Sequence, residues 1–213
     1  MDTTPKNYFD DLSQLLSGVS ATDSRGLSLG LENALDSTIK LVQGLSLTKG
    51  KLLFIGNGGS AAIASHQAVD YWKNGGIRAM AFNDASLLTC VSNDYGYAHV
   101  FEKPIEMFAQ EEDTLFAISS SGKSENILRG VRAAQEIGCR VVTFSGFDKG
   151  NPLRSLGDIN FYIASGSYGL VEISHLALSH YILDRCMELA ESQKGQTGGA
   201  RRFPRELTAK KAL

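Results

Sequence analysis

A glycine turn and the helix behind it carry the first chemistry in this chain. Gly56-Asn-Gly-Gly-Ser60 follows an apolar run of strand length, and the helical pattern after it sets His66 and Asp70 one turn apart on one face. Such a turn exposes backbone N–H groups, and the helix start adds partial positive charge, so an anion finds donors without Lys or Arg. The competing reading is steric, since a strand-to-helix turn often needs glycine for its backbone alone. A second polar stretch, Ser119-Ser-Ser-Gly-Lys-Ser124, crowds hydroxyls and backbone donors around a phosphate-sized space, with Lys123 as a formal charge. Taken alone it is also an ordinary turn and helix cap.

Short apolar runs at 51–55, 77–82, 114–118, 140–144 and 159–163 predict five strands, and the intervening patterns predict helices near 61–72, 98–108, 124–137 and 169–189. Apolar residues fall on consecutive positions, as in parallel strands covered on both faces. A doubly wound α/β domain follows, with a five-stranded parallel sheet and ligands expected beyond the carboxyl ends of the strands. Those ends carry the glycine turn, the serine loop, and the segment Asn83-Asp-Ala-Ser86 leading to Ser92-Asn-Asp94. Two helices within residues 5–46, divided by a polar break at 20–28, precede the first strand. Their apolar stripe, Leu31, Leu35, Ile39, Val42 and Leu45, suits packing on the sheet or a bundle between subunits.

Composition narrows the partners. With 21 basic against 23 acidic residues and a net charge of -2, no general nucleic-acid surface is expected. Cys90, Cys139 and Cys186 are odd in number and lack C-x-x-C spacing, which predicts a reduced compartment and buried packing roles. No membrane span or basic-then-apolar leader is evident, so a soluble cytoplasmic protein is expected. The serine loop lacks Walker spacing and Gly56-Asn-Gly58 does not extend to a dinucleotide fingerprint, so no nucleotide is expected. Residues 1–191 read as one domain and 192–213 as a basic, flexible appendage. His99 and His175 read as structural or solvated histidines.

Together, Gly56–Ser60 with His66 and Asp70, Ser92-Asn-Asp94, Ser119–Ser124, and then Glu172 and His180 resemble the sugar isomerase (SIS) domain, specifically the phosphoheptose isomerases. The resemblance implies a cytoplasmic homotetramer that converts sedoheptulose 7-phosphate to D-glycero-D-manno-heptose 7-phosphate for surface polysaccharide precursors. It implies substrate contacts at Asn57, Gly58, Gly59, Ser60, Asp70, Asn93, Asp94, Ser119, Ser120, Ser121, Ser124 and Glu172. It further implies that His66, Asp70, Glu172 and His180 form the catalytic and zinc-binding cluster.

Aldose–ketose isomerisation needs a base and an acid near a polarised oxygen. Asp70 is assigned as the base for the carbon-bound proton and His180 as the group that shuttles protons between sugar oxygens. Two departures stand out. The family usually has Glu at position 70, so Asp70 retracts the carboxylate by about 1.5 Å. It has Gln at position 172, where Glu172 adds a negative charge. A different sugar phosphate as substrate would explain both changes, and a non-catalytic regulatory scaffold is the third class.

Glu172 and His180 are eight positions apart, a rise of about 12 Å on a continuous helix. Either that helix begins after Glu172, or the two residues serve sites in different subunits. The apolar run around them favours the second.

Overall fold

The computed structural model describes residues 4–197. The consecutive apolar runs become strands, as their burial on both faces requires. In chain order the elements are α1 (Pro5–Ser17), β1 (Ser20–Thr22), α2 (Leu31–Thr48), β2 (Leu52–Gly56), α3 (Gly59–Lys73), β3 (Ala79–Ala81), α4 (Ala85–Tyr95), α5 (Glu102–Phe108), β4 (Thr114–Ser119), α6 (Glu125–Ile137), β5 (Arg140–Ser145), β6 (Ile159–Tyr162) and α7 (Tyr168–Thr197). The sheet order is β1-β6-β5-β4-β2-β3, parallel from β6 to β3.

Alternate residues of each central strand feed opposite cores. Phe54, Phe116, Phe144 and Phe161 meet α2, α3 and α7 on one face, whereas Ile55, Leu115, Ala117 and Val141 meet α5 and α6 on the other. Of the two uses weighed for the N-terminal stripe, packing on the sheet holds for α2: Leu35, Ile39, Val42 and Leu45 are buried in the first core. By contrast, α1 buries no residue.

Several expected features change. The five parallel strands gain a sixth, because the polar break contains β1, which pairs antiparallel with β6, Ser20 opposite Tyr162. Three residues are too few for a hydrophobic pattern. The Arg154 guanidinium donating to the Ser20 hydroxyl, and the Asn160 amide donating to the Thr22 carbonyl, fix this edge from far along the chain. The segment after β3 is not an open loop but α4, whose start is capped by the Asp84 carboxylate accepting from the Leu87 N–H. The helix expected from residue 98 begins at Glu102, after a single 3₁₀ turn at Tyr97–His99. Cys139 and Cys186 are buried, but Cys90 on α4 is exposed. Lastly, α7 continues past residue 192 to Thr197, into the expected appendage, of which residues 198–213 lie outside the described residues.

His175 is the structural histidine. It is fully buried on α7, donates from Nε2 to the Ser145 carbonyl at 3.2 Å, and packs edge-on against Phe144. Burial pulls its pKa down to about 4. The folded protein therefore keeps this imidazole neutral while the unfolded chain protonates near 6.5, so stability is full above that pH and falls as pH drops towards 4. That loss amounts to about 3 kcal/mol. Thermal denaturation across this window should show one proton's worth of acid destabilisation that is absent from His175→Gln.

Candidate active site

Two helix starts converge at the carboxyl end of the sheet. β2 ends in Gly56, and Gly58, at φ 54, turns the chain into α3; Ser124 opens α6 after β4. Neither start has a side-chain capping bond, so both offer free N–H groups to a ligand. Between them lies a cleft of about 240 Å³, lined by Asn57, Gly58, Gly59 and Ser60 on one side and Ser119, Ser120, Ser121 and Ser124 on the other. Tyr168 and Glu172, from the first turn of α7, complete the wall.

The serine loop is shaped from within. The Ser119 hydroxyl accepts from the Gly122 N–H, and the Ser121 hydroxyl from the Lys123 N–H. Gly122, at φ 62, has no room for a Cβ, which would lie 1.9 Å from the Asn151 Oδ1. Ser120 is 5% exposed, and its hydroxyl has no partner among the described residues. A buried hydroxyl left this way calls for a partner, and Ser120 lines the cleft. Lys123 does not supply the expected charge there: its ammonium pairs with Asp148 at 2.8 Å, and it does not line the cleft.

Asn57 is held sideways. Its amide exchanges reciprocal hydrogen bonds of 2.9 Å with the buried Asn126, and its Oδ1 also accepts from the Tyr97 hydroxyl at 3.0 Å. Asn126, Tyr97 and Tyr168 were not singled out by sequence, because each matters only through a contact the fold creates. Asn93 and Asp94 lie on α4. The Asn93 amide donates to the Asp94 carboxylate, and Asn93 lines a separate shallow depression with Tyr97. The Tyr97–Asn57 bond links this depression to the cleft.

A second centre lies further along α3. His66 and Asp70, one turn apart, are joined by His180 of α7: Asp70 Oδ2 is 3.2 Å from His66 Nε2 and 3.9 Å from His180 Nδ1, and the two imidazole rings meet edge-on. One ligand atom from each residue can be chosen so that all three lie within 4.8 Å of one another. Two imidazoles and a carboxylate so placed suit zinc, with a fourth position left for a substrate oxygen. Buried Gln67 contacts the remaining ring nitrogen of His180, its Nε2 lying 3.0 Å from His180 Nε2.

Glu172, expected as a fourth ligand, does not join this cluster within the chain. α7 begins before it, which removes the option of a later helix start, and its carboxylate instead rests on Gly59, where a Cβ would lie 2.3 Å from Oε2. Glu172 thus belongs to the cleft, two helical turns from His180.

Residues 7–146 match the SIS domain family. Over 164 residues, 74% of this chain and 81% of the relative, the chain is 36% identical to a phosphoheptose isomerase of Helicobacter hepaticus. The solved phosphoheptose isomerase of Neisseria gonorrhoeae superposes with a TM-score of 0.75 at 28% identity, covering 86% of this chain and 97% of that one. The enzyme from Francisella tularensis gives 0.75 at 26%, covering 86% and 96%.

Zinc competition titrations test the cluster. Asp70→Asn should weaken binding by at least the ~10–100-fold that loss of even an outer partner costs. Unchanged affinity would remove Asp70 from the ligand set.

Proposed function

Since this chain belongs to the phosphoheptose isomerases of the SIS-domain family, we propose that it interconverts sedoheptulose 7-phosphate and D-glycero-D-manno-heptose 7-phosphate with the residues described above. The unpartnered Ser120 hydroxyl, between two uncapped helix starts, is the observation that carries the assignment. The phosphate takes the donors of Ser119–Ser124 and the start of α6. The sugar chain lies over Gly58, with Glu172, which covers Gly59, accepting from its hydroxyls.

Chemistry belongs to the His66–Asp70–His180 centre. Asp70 takes the proton from C1 of the ketose and returns it to C2, while the hydroxyl proton passes from O1 to the neighbouring O2 beside His180; the intermediate is an enediol and no atom is lost. His66, Asp70 and His180 would hold a zinc ion, which when bound polarises the carbonyl oxygen. The three unpaired cysteines and a phosphorylated substrate suit a cytoplasmic setting.

The two centres come together across a subunit interface. A single continuous α7 holds Glu172 and His180 about 12 Å apart. Around them, Val69 and Trp72 of α3 and Ile173 and Tyr181 of α7 are exposed apolar surface. A homotetramer, in which the cleft of one chain meets the cluster of a neighbour, supplies what one chain separates.

Incubation with sedoheptulose 7-phosphate should give turnover that a chelator abolishes and zinc restores; no turnover in either state overturns the assignment. Ser120→Ala should raise KM about ten-fold or more, as expected for one hydrogen bond to a charged group, without lowering the melting temperature. Solution mass should correspond to a tetramer, and an active monomer would overturn the interfacial site.

A further inference from the structure

Gln67 is uncharged, so neither the cleft nor the cluster obviously needs it, yet it is fully buried beside a reacting histidine. Its amide bridges two residues of α7. The Ser179 hydroxyl donates to Gln67 Oε1 at 2.9 Å, and Gln67 Nε2 lies 3.0 Å from His180 Nε2. Ser179 is also fully buried, so water cannot substitute for either partner. The other ring nitrogen, Nδ1, faces the Asp70 carboxylate.

An amide N–H directed at His180 Nε2 requires a lone pair there, which puts the imidazole proton on Nδ1. Donation then runs in one direction, from Ser179 to Gln67 to His180 and on towards Asp70, ending on an acceptor. Turning the amide over exchanges its O and N at nearly the same positions. Gln67 Oε1 would then accept from Nε2–H, and Gln67 N–H would donate to the Ser179 oxygen, which can serve in either role. In that arrangement an Nδ1 lone pair faces the Asp70 carboxylate, which is unfavourable unless a cation lies between them.

We propose that Gln67 sets the tautomer of His180, keeping the proton on Nδ1 while the cluster holds no metal and shifting it to Nε2, by reversal of the amide, when a divalent cation takes Nδ1. Gln67 is thus a positioning residue acting through His180. The proposal rests on the reading of His66, Asp70 and His180 as a zinc centre, and its test reads proton positions instead of turnover, so the two can fail separately.

Imidazole 15N spectra of the full chain, recorded at about pH 8, above the ordinary histidine range, report the tautomer directly. The His180 signals are assigned by their loss in His180→Asn. Metal-free wild type should show His180 protonated at Nδ1, and zinc should move the proton to Nε2. Gln67→Glu, which can only accept, should show Nε2–H without zinc and retain zinc affinity. Gln67→Leu should lose the Nδ1–H preference and weaken zinc binding by about 10–100-fold. Any other proton arrangement in metal-free wild type overturns the proposal, as does an unchanged tautomer in Gln67→Glu. Should Gln67→Leu fail to fold, the wild-type spectra and the Glu variant still decide.

Discussion

The close parallel packing of α3 on α7 is the constraint on which both centres depend. Gly59 meets Glu172, Gln67 meets Ser179 and His180, the Tyr71 hydroxyl donates to the Ser179 carbonyl at 3.0 Å, and Gly75 meets Leu183. A Cβ at Gly75 would stand 2.7 Å from the Leu183 side chain, so glycine at either end of α3 lets the two helices approach. Tyr71 secures the middle: it is fully buried, and desolvation pushes its phenol well above the ordinary tyrosine range. The hydroxyl can remain a neutral donor at any physiological pH.

This register explains why the chain separates its two tasks. From Gly59 to Gln67 is eight residues, and from Glu172 to His180 is again eight, so the helices advance together by about 12 Å between the cleft and the cluster. Free N–H groups, the donors that an anion would take, lie at the helix starts. The cluster of His66, Asp70 and His180 stands two turns later, where the backbone bonds are satisfied and only side chains are available. An anion held at the helix starts is thereby kept away from Asp70.

Much of this was legible in sequence because it is local. The strands declared themselves as consecutive apolar runs, the glycine turn and serine loop as breaks after them, and His66 with Asp70 by helical spacing. What was not legible depends on partners distant in the chain. β1 exists because β6 offers it an edge, and Lys123 is drawn from the cleft by Asp148, 25 residues later. Asn126 becomes a site residue only by facing Asn57, 69 positions away. Likewise Gln67 reads as an unremarkable polar position in α3 until α7, 113 residues on, brings His180 to it.

The two carboxylates, Asp70 and Glu172, are coherent in this setting. Asp70 lies between two imidazoles, 3.2 Å from His66 Nε2 and 3.9 Å from His180 Nδ1. Glu172 rests on Gly59 in the first turn of α3, where the helix dipole favours a negative charge that a neutral amide would not exploit. Its presence also makes the cleft asymmetric. Of the two helix starts, that of α3 faces the Glu172 carboxylate, whereas that of α6 carries Glu125, which is paired with Arg129 at 2.8 Å, beside serine hydroxyls. On the proposed function, Glu172 repels a phosphate from the start of α3 and leaves Ser119–Ser124 to receive it.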